Sequence, residues 1–282
     1  MNTICASKAK WFRTEDGATD VDFIRAHENL TPMGVIHRPM SSADILTKFR
    51  DKANSLGLKF RKETGALLKP TENGGANRYM FIAEVEDPTH PDYALSVGFR
   101  NFGDKTLSFS GMCGNSIFVC ENGVCTSVVK PSRMRHTIGN VDNNRIDGKI
   151  DHIFDRFCKD AGEIHGQIAL MKDTKITDDI VGKFVRSAIK CNYLGGRNLM
   201  RILEDLENPA YNSHNDNSVF RLMNACSKVS THNVQNPNQG AMLSRYCNNL
   251  IMTIIKPDFV PLGDAVEETD VVEIGDGVSI VA

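Results

Sequence analysis

The chain has 282 residues, of which 41% are hydrophobic and 24% are charged, and its formal net charge is −2. This composition is typical of globular proteins and excludes a wholly disordered chain or a collagen-like repeat. The longest apolar runs, residues 117–120 and 250–255, are far shorter than the ~20 residues of a membrane-spanning helix, so we expect no membrane span.

The start of the chain and its cysteines both indicate a reducing compartment. Basic residues including Lys8 and Lys10 follow the first six residues, where a secretory signal would be apolar, so we expect a cytoplasmic protein. The cysteines are scattered, and the gaps between Cys113, Cys120 and Cys125 differ from the CxxC pairs of zinc sites. The sequence therefore predicts buried thiols, with no metal and no other cofactor.

The first predicted regular element is a helix that follows a mixed polar stretch. Residues 1–35 are interrupted by glycines and a proline, so we expect an irregular lead-in there. Ser41 or Ser42 can cap a helix in which apolar residues recur at four-residue steps. This helix is predicted to run to about Leu56 and to end at Gly57.

A series of short strands follows this helix. Apolar runs with glycine- and proline-containing turns between them predict an antiparallel meander. The pair Asn122 and Gly123 favours a tight reversal between the last two strands. The predicted strands are residues 58–61, 78–84, 93–100, 106–110, 115–120 and 124–129.

The second half changes to helical periodicity. Apolar residues recur mostly at three- and four-residue steps in residues 147–172, which predicts one long helix or two shorter ones. A further helix over residues 177–193 has Thr177 as a cap and is followed by a Gly-Gly break. Shorter helices are predicted at residues 199–206, 219–229 and 241–255.

Strands followed by helices are the order expected of an α+β fold. We therefore expect an antiparallel sheet in the N-terminal half packed with helices from the C-terminal half. The predicted organisation is an irregular lead-in over residues 1–35, a single α+β domain over residues 36–256 that is sheet-rich to about residue 130, and an acidic tail of residues 257–282.

The acidic tail makes the charge distribution asymmetric. It carries seven Asp or Glu residues and no Lys or Arg, so residues 1–256 carry a net charge of +5. A basic body with an acidic end is found in proteins that handle nucleic acid, where the tail competes for the basic surface or recruits partners. A solvated tail with no such role is the alternative.

Two segments concentrate the positive charge. Residues 181–203 contain five Lys or Arg residues and no acid, and a second group follows the predicted sheet. On a helix, the first three cations of this segment form a positive stripe, and the other two continue the charge past the Gly-Gly break. A separate apolar face consists of Ile180, Phe184, Ala188 and Cys191. The residues expected to contact nucleic acid are Lys130, Arg133, Arg135, His136, Lys183, Arg186, Lys190, Arg197 and Arg201.

If both segments share one surface, they would form a track for a phosphodiester backbone with salt-sensitive affinity. Aromatic residues for base stacking are few, with Tyr193 best placed and Phe99 or Phe102 next. A basic helix face that is simply solvated is the alternative interpretation.

Residues 94–137 contain a distinctive series of short motifs. An Arg-Asn pair ends a strand, an Asp-Lys pair follows it, the run IFVCEN ends another strand, and an Arg-His-Thr element comes later. This block resembles the phage and plasmid family called domain of unknown function 932, and weaker likeness extends over about residues 34–255. The matching positions are Arg100, Asn101, Asp104, Lys105, Cys120, Asn122, His136 and Thr137.

The resemblance implies a protein of a bacteriophage or other mobile element, in the host cytoplasm, but it implies no established activity. The sequence departs from the family pattern at Glu121, where an Asp is usual, and directly after Asn122.

Two interpretations of the motif residues remain open. Polar groups at strand ends and turns can form a binding site, and the Arg, Lys and Asn side chains could hold a phosphate. Alternatively, Asp104 and Lys105 shape a turn, while Arg100 holds two strands together. Cys120 with His136 would be a conceivable thiol-imidazole pair, against a buried strand cysteine.

Three functions follow from these observations. The leading hypothesis is an accessory protein of phage DNA replication or recombination that binds exposed, single-stranded nucleic acid, with homo-oligomerisation possible. The second is an interaction protein whose acidic tail sequesters a host factor. The third is an enzyme that acts on a nucleotide or phosphate ester with Arg100, Asp104, Asn122 and His136.

Overall fold

The structure is a computed structural model that describes residues 11–69, 78–87, 93–105, 108–117, 134–142, 144–191, 194–209, 216–232 and 237–260. The described strands form one antiparallel sheet in which each strand pairs with its neighbour in sequence. They are β1 (Trp11–Arg13), β2 (Phe60–Leu68), β3 (Arg78–Val85), β4 (Tyr93–Phe102) and β5 (Ser110–Ile117). The predicted meander is confirmed.

The helices lie mainly after the sheet in sequence, which confirms the α+β fold class. Two of them precede β2, namely α1 (Val21–His27) and α2 (Ser42–Ser55). The others are α3 (Ile138–Asp142), α4 (Arg145–Asp173), α5 (Asp178–Cys191), α6 (Gly196–Glu207), α7 (Val219–His232) and α8 (Pro237–Ile255).

Local signals set both ends of α2. The Ser41 hydroxyl accepts a hydrogen bond from the Asp44 amide at 3.1 Å, which confirms Ser41 as the cap. The Glu28 carboxylate adds acceptors for the Ser41 hydroxyl and the Ser42 amide. At the other end Gly57 has a φ of 72°, the left-handed conformation that glycine adopts most easily.

Phe49 of α2 joins the sheet to the helical layer. Its ring centroid lies 5.2 Å from that of Phe99 on β4, 5.8 Å from that of Phe81 on β3 and 4.7 Å from that of Phe154 on α4. All four side chains are fully buried. Aromatic packing of this kind adds about 0.5–1.5 kcal/mol per pair to the free energy of burial, so this cluster forms the centre of the core.

The predicted region 147–172 forms a single helix, α4, rather than two. This helix packs closely against β5 at Gly111, which has no side chain. A Cβ atom at Gly111 would come within 2.2 Å of the Ile153 side chain. Surface ion pairs from Lys48 and Lys52 of α2 to Asp147 and Asp151 also connect the two helices.

Two sequence predictions were wrong. The lead-in is not irregular throughout, because β1 pairs with β2 and α1 follows it. Residues 106–110 and 115–120 were predicted as two strands, but Ser110–Ile117 is one strand. It pairs with β4 without interruption, and its glycines are part of this pairing. The predicted strand over residues 124–129 lies outside the described residues.

Gly98 is required by the close approach of β3 and β4. A Cβ atom there would lie 2.1 Å from the Phe81 carbonyl oxygen and 2.9 Å from the Ile82 Cα, both of which belong to the backbone. We therefore expect Gly98→Ala to lower the free energy of unfolding by about 1–3 kcal/mol, measured by urea denaturation.

The matched control is Gly162→Ala in α4, where an added Cβ has open space around it. Alanine is the better helix former, so this variant should gain about 0.5–1 kcal/mol. Equal effects of the two substitutions would contradict the steric explanation.

Candidate functional site

The described motif residues gather at one end of the sheet. Arg100 and Asn101 lie at the end of β4, and Asp104 and Lys105 lie in the turn that follows. Residues 134–138 approach the same end, because Met134 bridges to Phe109 and Thr137 bridges to His37. The structure therefore brings together most of the described motif positions, as a cluster of structural contacts.

Asn101 makes three side-chain contacts in this cluster and is fully buried. Its Nδ2 donates to the Met40 carbonyl and to the Ser42 hydroxyl, each at 2.9 Å. Its Oδ1 lies 2.9 Å from His136 Nε2. Because both Nδ2 protons have acceptors, Oδ1 is the atom that accepts a hydrogen bond from His136 Nε2–H. Asn101 thus ties the start of α2 and the 134–138 segment to β4.

His136 is buried beside a second histidine that the sequence analysis missed. The rings of His136 and His37 meet edge to face with centroids 6.3 Å apart, and the residues are 6% and 4% exposed. Burial, followed by the neighbouring His37, lowers the pKa of His136 to about 4. Burial, followed by the charge of Lys105, lowers the pKa of His37 as well, and Gly103 and Asp104 offset this only in part. Both imidazoles are therefore neutral at pH 7.

Asp104 and Lys105 shape the turn after β4. The Asp104 carboxylate accepts a hydrogen bond from Arg78 Nε at 2.6 Å, and its side chain is only 6% exposed. Lys105 has a φ of 65° and its ammonium group donates to the Met33 carbonyl. These contacts match the structural interpretation of this pair.

Arg100 also has a structural contact. Its Nε donates to the Ser110 hydroxyl at 2.6 Å, which connects β4 to its partner strand β5. Thr137 caps the short helix α3 through its backbone carbonyl, which accepts from Asn140 and Val141. Cys120 and Asn122, the remaining motif positions, lie outside the described residues.

The first basic segment forms an exposed surface on α5 and α6. Lys183, Arg186, Lys190 and Arg197 are exposed and Arg201 is half-buried. The opposite face of α5 packs as predicted, with Phe184 and Ala188 buried and Ile180 partly buried against the core. Cys191 departs from the prediction because it is exposed. We call these five cations the basic helix surface.

One acid reduces the charge of the basic helix surface. Asp179, one turn before Lys183, pairs with it at 2.7 Å. Both side chains are more than half exposed, so the pair contributes little to stability and leaves the ammonium group in contact with water. Two exposed aliphatic side chains, Ile189 at 63% and Met200 at 56%, lie on the same two helices.

The second basic segment differs from its prediction. Arg135 is exposed, but His136 is buried and neutral, so it cannot contact a phosphate as a cation. Lys130 and Arg133 lie outside the described residues. This segment pairs with residues 36–38 and 109, whereas α5 packs on α8 and α6. The two basic segments are thus anchored to different parts of the fold.

Two of the aromatic residues considered for base stacking are buried. Phe99 is fully buried and Phe102 is 3% exposed, so the prediction that either could stack on a base was wrong. Tyr193 lies outside the described residues. Any contact of the described part with bases must therefore use other side chains.

The cysteines of the described part are free thiols. Cys113, Cys226 and Cys247 are buried, as predicted, whereas Cys158 and Cys191 are exposed. Burial, followed by a hydrogen bond with Cys247, raises the pKa of the Cys226 thiol. In the part of the chain that the structure covers, no three His, Cys, Asp or Glu side chains are grouped to hold a metal ion.

Sequence reasoning also missed a contact between the sheet and α4. The Tyr93 hydroxyl lies 2.7 Å from His165 Nδ1, and His165 Nε2 lies 3.7 Å from a carboxylate oxygen of Asp87. These residues are far apart in sequence, so no local pattern could have indicated the contact. It places an imidazole between a tyrosine and a carboxylate at the end of β4 opposite to Asn101.

Comparisons with family models, curated proteins and solved structures gave no match to this chain. The resemblance to domain of unknown function 932 therefore stays a prediction. None of the described helices is both long and apolar enough to cross a membrane.

The lowered pKa of His136 predicts a stability that depends on pH. Above its unfolded value of 6.5 the folded and unfolded states are both neutral at this residue, and the stabilisation is fully present. As the pH falls from 6.5 towards about 4, the unfolded state binds a proton at this residue and the folded state does not. The free energy of unfolding therefore falls by about 1.4 kcal/mol per pH unit. Replacing His136 by Gln keeps an amide donor and should flatten this slope.

The measurement is the free energy of urea unfolding between pH 4 and 7 for the wild type, His136→Gln and a control, His152→Gln. His152 is exposed on α4, so its substitution controls for the loss of an imidazole in general, and His136→Gln should flatten the slope more than His152→Gln does. An unchanged slope in His136→Gln would show that this imidazole does not titrate differently on folding.

Proposed function

We propose that this protein binds exposed nucleic acid, in particular single strands, through the basic helix surface. The observation that carries the proposal is the exposure of Lys183, Arg186 and Lys190 along one side of α5, with Arg197 exposed at the start of α6. The proposed setting, an accessory role in DNA replication or recombination of a bacteriophage or other mobile element, rests on the sequence resemblance alone.

The spacing of the cations suits a polyanion. Residues three and four apart on a helix rise about 5 Å along its axis, so Lys183, Arg186 and Lys190 present charges at short, regular intervals. Arg197, on a separate helix, widens the positive region. Cations on such helix faces contact the phosphate backbone, and this contact is sequence-tolerant and salt-dependent.

The two exposed aliphatic side chains add a second kind of contact. Ile189 and Met200 lie on the same helices as the cations, and apolar side chains can pack against the faces of unpaired bases. A duplex hides those faces, so the combination favours single strands. Since Phe99 and Phe102 are buried, strong aromatic stacking is not part of this proposal.

An enzymatic function of the motif cluster has less support. Arg100 bonds to Ser110, Asp104 pairs with Arg78, and His136 bonds to Asn101. A buried imidazole with a pKa of about 4 is a poor general base at neutral pH. The contacts account for these side chains as connections within the fold. The proposed interaction of the acidic tail with a host factor is a separate hypothesis.

Charge reversal on α5 tests the proposal. We expect the double variant Arg186→Glu and Lys190→Glu to bind a fluorescent single-stranded oligonucleotide at least about tenfold more weakly at low salt, or ~1.4 kcal/mol. The slope of log affinity against log salt concentration should fall by about 0.7 for each lost phosphate contact. Fluorescence anisotropy at several salt concentrations measures both quantities.

A matched control separates position from total charge. Lys159→Glu with Lys175→Glu changes the net charge equally at exposed sites outside the basic helix surface, and this variant should retain most of the affinity. An equal loss in the control, or no binding by the wild type even at low salt, would end the proposal.

A further inference from the structure

We propose that the acidic tail docks on an exposed apolar turn at the sheet end of the same protein. The turn is defined by Leu30, Met33, Val35 and Ile36 together with Ile138, and we call it the apolar turn. This inference uses a surface separate from the basic helix surface and does not depend on nucleic-acid binding.

The apolar turn is the densest group of exposed aliphatic side chains among the described residues. Val35 is 94% exposed and Ile36 is 71% exposed, while Met33, Leu30 and Ile138 are 54%, 43% and 43% exposed. Ile138 lies opposite Ile36, because its amide donates to the Ile36 carbonyl at 3.1 Å. Single exposed aliphatic residues are ordinary, but several together on a folded surface mark a contact site.

Hydrogen bonds hold the apolar turn in a fixed shape. The Met33 amide donates to His37 Nδ1 at 2.9 Å, and the His37 amide donates to the Gly34 carbonyl at 3.2 Å. The ammonium group of Lys105 binds the Met33 carbonyl from the sheet side. Gly34 has a φ of 132°, which side chains other than glycine rarely adopt. An apolar surface that is already ordered loses little entropy when a partner binds.

The charges around the apolar turn favour an acidic partner. Arg38 and Arg135 are exposed, and Lys105 contacts the turn directly. Asp104, the acid next to Lys105, already pairs with Arg78. A second copy of the same surface would place cations opposite cations in a symmetric interface, which is unfavourable. The partner should therefore combine aliphatic side chains with carboxylates.

The acidic tail has this chemistry. Its sequence from residue 264 reads DAVEETDVVEIGDGVSIVA, in which valines and isoleucines alternate with carboxylates and no Lys or Arg occurs. The aliphatic side chains would cover the apolar turn while the carboxylates face the cations around it. Each buried methylene contributes about 0.8 kcal/mol, and charge complementarity orients the segment.

The chain is long enough for this contact. The described residues end at Val260, after Phe259 has packed against the core and with Val260 itself 72% exposed. The 22 residues that follow can span about 70 Å when extended. A folded chain of this size has a radius of gyration of about 19 Å, so the extended segment can reach much of its surface.

Photo-crosslinking in the full-length chain tests the proposal. A benzophenone amino acid replaces Val35, or Ile36 in a second preparation, and the same probe replaces Ile189 on α5 as a control at another exposed aliphatic position. After irradiation, mass spectrometry identifies the linked peptides. We expect both turn probes to link to residues 261–282 with a yield at least about fivefold higher than the Ile189 probe, equivalent to ~1 kcal/mol.

Tail substitutions test the two halves of the chemistry. Replacing Val271, Val272 and Ile274 by Ser should reduce the yield at position 35 at least about threefold, and so should replacing Glu267, Glu268 and Glu273 by Gln. A mixture of isotope-labelled and unlabelled protein shows whether the linked tail belongs to the same copy, as proposed.

Several outcomes would overturn the inference. Equal yields at Val35 and Ile189 would indicate a tail attracted to positive charge in general. If the Gln substitutions lowered the crosslinking yield and the Ser substitutions did not, the proposed apolar contact would be wrong. Links from Val35 to the apolar turn of another copy, or to another copy's tail alone, would replace the proposed occupant.

Discussion

The side-chain amide of Asn101 is the contact on which the sheet end depends. It donates to the start of α2 at Met40 and Ser42, and it accepts from His136. The residue is fully buried, so each bond left unmade would cost about 1–3 kcal/mol in desolvation. Three segments that are distant in sequence must therefore meet at this amide for the fold to be stable.

The hydrogen bond between His136 and Asn101 also determines which side chains of this segment reach the surface. Because His136 bonds to Asn101 in the interior, the Arg-His-Thr element supplies Arg135 to the surface and no second cation beside it. The exposed cations of the basic helix surface are instead carried by α5, which packs on α8, and by α6, which packs on α7. The motif cluster thus holds parts of the fold together, whereas the exposed positive charge lies elsewhere, on the basic helix surface.

Features that depend on residues close together in sequence could be predicted, and features that depend on residues far apart could not. The Ser41 cap, the glycine after α2 and the buried face of α5 depend on residues within one or two turns, and local patterns predicted them correctly. The pairing of β1 with β2 brings together residues more than fifty positions apart, so the lead-in looked irregular. Residues 106–110 and 115–120 were predicted as separate strands, but residues 110–117 form one strand, which is held by its pairing with β4.

The motif residues show the same limit. Asn101 and Lys105 lie close together at the end of β4 because they are near neighbours in sequence. The orientation of the motif residues was not predictable, since His136 bonds to Asn101 and Asp104 pairs with Arg78, which are distant in sequence. The polar character of Arg100, Asp104 and His136 suits a binding site and a structural cluster equally well, and only their partners distinguish the two.

The tautomer of His37 connects the buried cluster to the exposed apolar turn. Its Nδ1 accepts from the Met33 amide, so the proton of the neutral ring is on Nε2, where no described group completes a hydrogen bond of normal geometry. A second proton would have to enter at Nδ1 and would face another donor, the Met33 amide. The charged ring would also lie beside Lys105, whose charge already lowers the pKa of His37. A charged His37 would therefore lose its hydrogen bond from the Met33 amide, which is one of the contacts that shape the apolar turn.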